Sequence, residues 1–504
     1  MIYGIINSVI RGKEYSIDIQ IYDIEKAFDG LWLEDCLNDV FDSVSPDKRN
    51  DKLALLYEAN RKNMVAVKTA VGLTDRVDIP NIVQQGGTWG PGLCSNSVDK
   101  LGKKCRDQDI HIYKYKNISK VLIFAMCDDL NGVAKCGLES VALNTFITAQ
   151  IELKKLRFHV PDKQGKSKCH KMHVGKKHET CPILEVHGTV MEDVKFDTYL
   201  GDIISSDGRN TRNLKKRIGK GLGIISEIIN ILSVINLGEH YIEIAIMLRE
   251  SLFLNGIITN SEIWYSITKE EMKELEDLDK TLLRKILRVP FSTPTEAYFL
   301  ELGIIPIEAV LKMRRANYLH YLLSRKEDEM LFTFFITQWY NSTVGDWTEQ
   351  LKLDLCDLNI PIDFEYIKSK SKLSFKRLVK IKTEEFAFGA LIDKQNTHSK
   401  IKNIHYDELK LKNYFKIPAL IFKWRVNMAP LGENFRGGEG NKVCPLCYCH
   451  LDNQSMIFQC EEIRKEMKIT SKLEDIYSDK ISIETARELT KIENVREKLK
   501  NENT

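Results

Sequence analysis

"SIDIQIYDIEKAFDGLWLEDCLNDVFD", Ser16 to Asp42, decides how this chain is read. Ile17, Ile19 and Ile21 alternate with Asp18, Gln20 and Tyr22, the period-two pattern of a half-buried strand. After Asp29-Gly30 the period changes, and Leu33, Leu37, Val40, Phe41 and Val44 recur at helical spacing. Asp23, Glu25 and Asp29 stand around that junction. Asp29 suits a helix N-cap, and Glu25 a solvated neighbour. Asp23 ends the strand, and its meaning depends on whether other acids converge on it.

A second stretch supplies them. "KVLIFAMCDDLNGVA", Lys120 to Ala134, is an apolar run, two acids and another apolar run, which predicts a hairpin with Asp128 and Asp129 at its tip. If the hairpin and the first strand are neighbours in one sheet, the three aspartates meet on one side. Hard cations such as Mg²⁺ take oxygen ligands. Two such ions about 3.5–4 Å apart serve in-line phosphoryl transfer. An Asp-Asp pair in a turn is by itself ordinary turn chemistry, so the pairing of strands decides the matter.

Around these stretches, Glu139 to Arg157 carries a helical stripe, and "SKCHKMHVG" and "DTYLGDIISSDG" read as strands. From about residue 206 to Arg325 the chain is mostly amphipathic helix. The order β-α-β-α-β-β followed by helices predicts an α+β fold with a helical second part. At 504 residues, several domains are expected. Hydrophobic residues at 43% and charged residues at 29% describe a globular chain, and a net charge of +3 makes local clusters, not the total, informative about partners. No secretory leader is apparent, and no apolar run approaches the roughly 18 residues that span a bilayer. The expectation is an intracellular protein in a reducing compartment, with no membrane partner.

The motifs in order resemble reverse transcriptases, specifically those of non-LTR (LINE-type) retrotransposons. "YDIEKAFDGL" resembles motif A, "VQQGGTWGPGL" motif B, "FAMCDDL" motif C, "KSKCHKMHVG" motif D and "YLGDIISSDG" motif E. The resemblance implies a right-hand polymerase palm, an antiparallel sheet backed by helices, with an α-helical thumb and a small Cys-rich C-terminal module. It implies two Mg²⁺ ions held by Asp23, Asp128 and Asp129, and RNA template, DNA primer and dNTPs as partners. Phe28 matches the aromatic gate that admits deoxyribose by clashing with a 2′-hydroxyl. Gln85, Gly86, Gly90 and Pro91 match the template-contacting loop, in which Gln84 and Gly87 replace the family's Pro and Ser and Gly86-Gly87 keeps the close backbone approach. Tyr199, Leu200 and Gly201 match the primer grip. Lys166 or Lys168 would assist departure of pyrophosphate as a general acid.

Two further features carry expectations. Lys154 to Lys177 holds nine Lys or Arg against one acid, Asp162, and Arg209, Arg212, Lys215, Lys216, Arg217 and Lys220 fall largely on one helix face suited to a duplex backbone. "CPLCYCHLDNQSMIFQC" offers Cys444, Cys447 and Cys460 as zinc ligands. It resembles the retrotransposon knuckle, but Ser455 stands where that pattern has His, so His450 or Cys449 must complete the set. Zinc binding and a metal-free remnant both stay open. The layout expected is a palm over 1–205, a helical thumb over 206–330, a connector over 331–440, a knuckle over 441–465 and a charged helical tail over 466–504. Only 22 residues precede Asp23, so the resemblance implies a truncated element lacking the fingers. The function expected is RNA-templated DNA synthesis within a ribonucleoprotein of nucleus or cytoplasm. The alternative is a catalytically inactive fragment, or a host protein descended from such an element, that only binds RNA or duplex.

Overall fold

The computed structural model describes residues 16–25, 33–51, 64–78, 122–126, 129–153, 169–176, 181–234, 240–342, 345–397, 419–434, 443–477 and 483–502, with short pieces between them. The fold is α+β, and the chain divides into two compact units, Met1–Asn210 and Thr211–Thr504.

The first unit is built on a five-stranded sheet. Its strands are β1 (Ile17–Asp23), β2 (Leu122–Met126), β3 (Asp129–Lys135), β4 (His170–Val174) and β5 (Glu192–Asp193), in the order β5-β4-β1-β3-β2. All neighbours are antiparallel except β4 and β5. Helix α1 (Leu33–Ser43) follows β1, and α2 (Leu138–Leu153) follows β3. A separate ribbon pairs β6 (Phe196–Tyr199) with β7 (Asp202–Ser205).

The expectation of a half-buried β1 is corrected. β1 is the central strand, and its polar residues are buried with its isoleucines: Asp18 and Gln20 are fully enclosed and Tyr22 nearly so. The polar row survives burial because α2 offers it partners. Gln20 Nε2 donates to the Ser140 carbonyl at 2.7 Å, and the Tyr22 hydroxyl lies 2.6 Å from Gln20 Oε1 and 2.8 Å from Asn144 Oδ1. Helix α2 thus presents Ser140, Leu143, Asn144, Ile147 and Ile151 to the sheet, an apolar stripe with two polar teeth. Gly132 in β3 makes the approach possible, since a Cβ there would stand 2.7 Å from Leu143 Cδ2 and 3.1 Å from Ile147 Cδ1.

The second unit is helical. α3 (Thr211–Val234) buries Leu214, Gly221, Ile225, Ile228 and Leu232, and packs on α4 (Lys269–Leu287). Gly221 is the point of closest approach, where a Cβ would meet Leu278 Cδ2 at 2.5 Å. A capping box starts α4: Glu271 N donates to Thr268 Oγ1 at 3.2 Å while Thr268 N donates to Glu271 Oε2 at 2.9 Å. Arg249, in a π-helical stretch over Arg249–Leu254, forks onto buried Asp279 through two bonds of 2.7 and 2.6 Å.

Helix α5 (Ile307–Leu323) serves two cores. Ile307, Val310 and Leu311 pack with α3 and α4, whereas Ala316, Leu319, Leu322 and Leu323 pack with Phe335, Leu351 and Phe375. Helix α6 (Lys372–Thr397) does the same in reverse, with Phe375 and Val379 in the second core and Leu391 in the first. These shared helices carry the packing straight across residue 330. A third core joins Trp424, Leu431, Cys444, Cys460 and Ile463 to Leu489 and Ile492 of α7 (Ile483–Glu502), so the cysteine segment and the charged tail share one apolar centre.

Candidate functional site

The register of the sheet brings two of the acids together. Asp23, the last residue of β1, faces Asp129, the first of β3. Directly opposed residues in an antiparallel pair have Cβ atoms about 4.5–5.5 Å apart on one face. Carboxylates at that spacing reach ions about 3.5–4 Å apart. Met126 of β2 also faces Asp129, so the pairing of β2 with β3 runs to the start of β3. Asp128 itself lies outside the described residues, as do Phe28, Gln85, Gly86, Gly87, Lys166 and Lys168. Asp129 is exposed and Asp23 half-buried, while Glu25 is exposed beyond the strand end.

The β6–β7 ribbon adds Tyr199 to this end of the sheet. Its hydroxyl is pushed up to about 12, first by burial and then by the charge of Asp129, with Asn131 hydrogen-bonding it and working the other way. Asn131 is two residues along β3 from Asp129, on the same face. Leu200 and Gly201 join the two strands with φ of 48° and 86°. A two-residue turn with both central residues in the left-handed region has the hand that matches strand twist. Leu200 does this without glycine's freedom and is left 43% exposed. Tyr199, Leu200 and Gly201 therefore form one hairpin tip, its tyrosine beside an acid.

Two neighbours of the site escape sequence reading. Cys169 is buried against Asp23, whose backbone N–H bonds its sulfur; burial, the larger influence, pushes the thiol up to about 11. His170 pairs through Nδ1 with Asp197 of β6, tying the ribbon to the sheet. Neither contact has a local signal, because the partners are brought together by the tertiary fold and not by spacing.

The basic clusters divide. On α3, Arg212, Lys215, Lys216 and Lys220 are exposed, as is Arg209 before it. Arg217 departs from the expected basic face: it is 6% exposed and turned inward, donating to the Gly256 carbonyl at 3.3 Å. In the earlier run, Lys171 is also buried, with Nζ 2.7 Å from the Pro182 carbonyl and 3.2 Å from Asp193. A guanidinium or ammonium stem at helical or strand spacing says nothing about which carbonyl lies beneath it.

In the C-terminal segment, Cys444, Cys447 and Cys460 bring three sulfurs within 4.8 Å of one another, a group able to hold a metal such as zinc. Cys444 and Cys460 sulfurs are 3.9 Å apart, near the ~3.8 Å edge of a tetrahedron with Zn–S of about 2.3 Å. Burial works against the Cys447 thiolate, but N–H bonds from Cys449 and His450 and the neighbouring thiols outweigh it, and its pKa is lowered. Tyr448 takes φ of 56° to aim those amides. His450 thus contributes its backbone, and its ring is not among the gathered atoms; Cys449 Sγ instead donates to the Cys447 carbonyl.

No protein-family model matches the chain, and no curated protein matches it in sequence. No helix among the described residues is long and apolar enough to cross a membrane.

Proposed function

We propose that this chain is an RNA-directed DNA polymerase of the non-LTR retrotransposon kind, extending a DNA primer on an RNA template. The observation that carries the reading is the facing pair Asp23 and Asp129 at one end of the central strands, with Tyr199 beside it. In the reaction the primer 3′-hydroxyl oxygen bonds the α-phosphorus of a dNTP and the bond to pyrophosphate breaks. Asp23, Asp128 and Asp129, an all-oxygen donor set suited to hard cations, would hold two Mg²⁺ ions, which supply activation of the hydroxyl and charge relief on the leaving group.

The chain's own residues would do the rest. Tyr199, kept protonated by burial, and the Leu200-Gly201 turn would hold the primer end against the acids. Phe28 would exclude ribose, the loop of Gln85, Gly86 and Gly87 would bear on the template, and Lys166 or Lys168 would protonate pyrophosphate. Arg212, Lys215, Lys216 and Lys220 would take phosphates. Cys444, Cys447 and Cys460 would hold Zn²⁺ in a nucleic-acid-binding knuckle.

The test is primer extension on an RNA template with Mg²⁺ and dNTPs. Asp23→Asn and Asp129→Asn each abolish extension while RNA binding persists. A wild-type chain that binds RNA without extending the primer overturns the polymerase reading and leaves a nucleic-acid-binding fragment in its place.

A further inference from the structure

We propose that Cys136, His173 and Cys181, gathered beside the buried Asp18 at the end of the central sheet remote from Asp23, form a zinc-binding site. The residues come from four separate places in the sequence. Asp18 is in β1, opposite His173 of β4, and Cys136 follows the last residue of β3, its N–H donating to the Ser16 carbonyl at 2.9 Å. Cys181 stands on the segment leading to Pro182, which Lys171 holds against β4.

The geometry is that of a ligand set. One atom each from Cys136, His173 and Cys181 lies within 4.8 Å of the other two. The sulfurs are 3.4 Å apart, and Cys181 Sγ is 3.8 Å from His173 Nδ1. A tetrahedral zinc with bonds of about 2.3 Å to sulfur and 2.0–2.1 Å to nitrogen needs edges of roughly 3.8 and 3.6 Å, so each distance closes with a shift of a few tenths of an ångström.

Two independent observations point to a cation. Asp18 is fully buried, and while its Oδ1 is 2.9 Å from His173 Nδ1, its Oδ2 has no hydrogen-bond partner. A buried carboxylate oxygen left unpaired is costly, and a dication beside it removes the cost. His173 is also already oriented: Nε2 lies 3.2 Å from the Lys176 carbonyl while Nδ1 faces Asp18 Oδ1, so an ion entering there would take the place of the Nδ1 proton. Thiolates and imidazole together select zinc over Mg²⁺. All three ligands are half-buried, so the ion can enter.

The site is distinct from the acids proposed for catalysis. Asp18 is five positions from Asp23, on the opposite face of β1, about 17 Å along the strand. Zinc there would fasten the 181 segment to the sheet, and the inference requires no polymerase activity.

The full chain, stripped by chelator under reducing conditions, is titrated with Zn²⁺ alone. In the wild type, alkylation of Cys136 and Cys181 slows on the order of tenfold as metal replaces protons on the thiols, while exposed Cys356 is unaffected. Elemental analysis of C444S/C447S/C460S finds one retained zinc, which is lost when Cys136→Ser and Cys181→Ser are added. Equal alkylation with and without Zn²⁺ in the wild type overturns the proposal whatever the variants do. Recovery of Cys136 and Cys181 as a disulfide from zinc-loaded, reductant-containing solution overturns it equally.

Discussion

Replacing Gly132 by alanine tests the packing that sets Asp129 in place. The added Cβ would sit 2.7 Å from Leu143 Cδ2 and 3.1 Å from Ile147 Cδ1. Leu143 and Ile147 are fully buried, so their ends have no solvent to retreat into. Overpacking of this kind costs about 1–3 kcal/mol. Alanine's advantage over glycine in a strand interior returns roughly 0.5–1 kcal/mol. A net destabilisation of about 0–2.5 kcal/mol is expected for the first unit. Leu143→Ala alone opens a cavity and costs about 2–5 kcal/mol. In the double variant the alanine methyl at 132 enters the space that Leu143 vacated, so the two costs do not add, and a coupling of about 1–3 kcal/mol is expected. Hydrogen–deuterium exchange of the full chain, followed in peptides from β3 and α2, reads these differences without requiring the two units to unfold together. Additivity of the two substitutions to within about 0.5 kcal/mol would refute the reasoning, since it would mean that Gly132 and Leu143 do not compete for one volume.

Further outcomes follow from other interactions. Asp279→Ala leaves the Arg249 guanidinium buried without its carboxylate and should lower stability by about 3–5 kcal/mol, whereas Arg249→Met with Asp279→Leu should recover most of that loss in urea denaturation. Glu488 in α7 accepts from the amides and hydroxyls of Thr470 and Ser471; burial opposes its charge, the hydrogen bonds outweigh burial, and its pKa is lowered. Its stabilisation is therefore present above the unfolded value of about 4.3 and lost as pH falls through the lower folded value, so Glu488→Gln should flatten the acid limb of a melting-temperature profile below about pH 4. Lys215→Glu with Lys216→Glu should weaken RNA binding and shallow its salt dependence by roughly one unit of slope for each phosphate no longer neutralised. Arg217→Ala should instead lower stability with little change in that slope, because Arg217 faces the Gly256 carbonyl.

The sequence carried what is periodic. The alternation from Ile17 to Tyr22, the apolar-acid-apolar run at Asp128-Asp129 and the stripe of α2 all correspond to observed elements, and the strand pairing needed for the acids to meet is present between Asp23 and Asp129. What could not be read is pairing between elements. Asp18, Gln20 and Tyr22 look like a solvated strand face because nothing local reveals that Ser140, Asn144 and His173 wait opposite them. Arg217 looks like its neighbours on α3, since periodicity gives a direction and not a depth. Cys136 and Cys181 are inconspicuous in sequence for the same reason, whereas Cys444 and Cys447 advertise themselves by spacing.

The double duty of α5 also sets how this protein can be dissected. Its N-terminal half belongs to the core of α3 and α4, and its C-terminal half to the core around Phe335 and Phe375. A fragment that stops at residue 330 would keep the helix but strip Ala316, Leu319 and Leu323 of their cover, and it would remove Leu391 from the core left behind. Neither half owns a closed interior, so severed pieces should aggregate or stay unfolded instead of surviving as modules. The helical unit is cooperative by construction: limited proteolysis should nick its exposed loops without releasing a stable thumb-sized domain, and the smallest helical fragment worth expressing runs at least through α6.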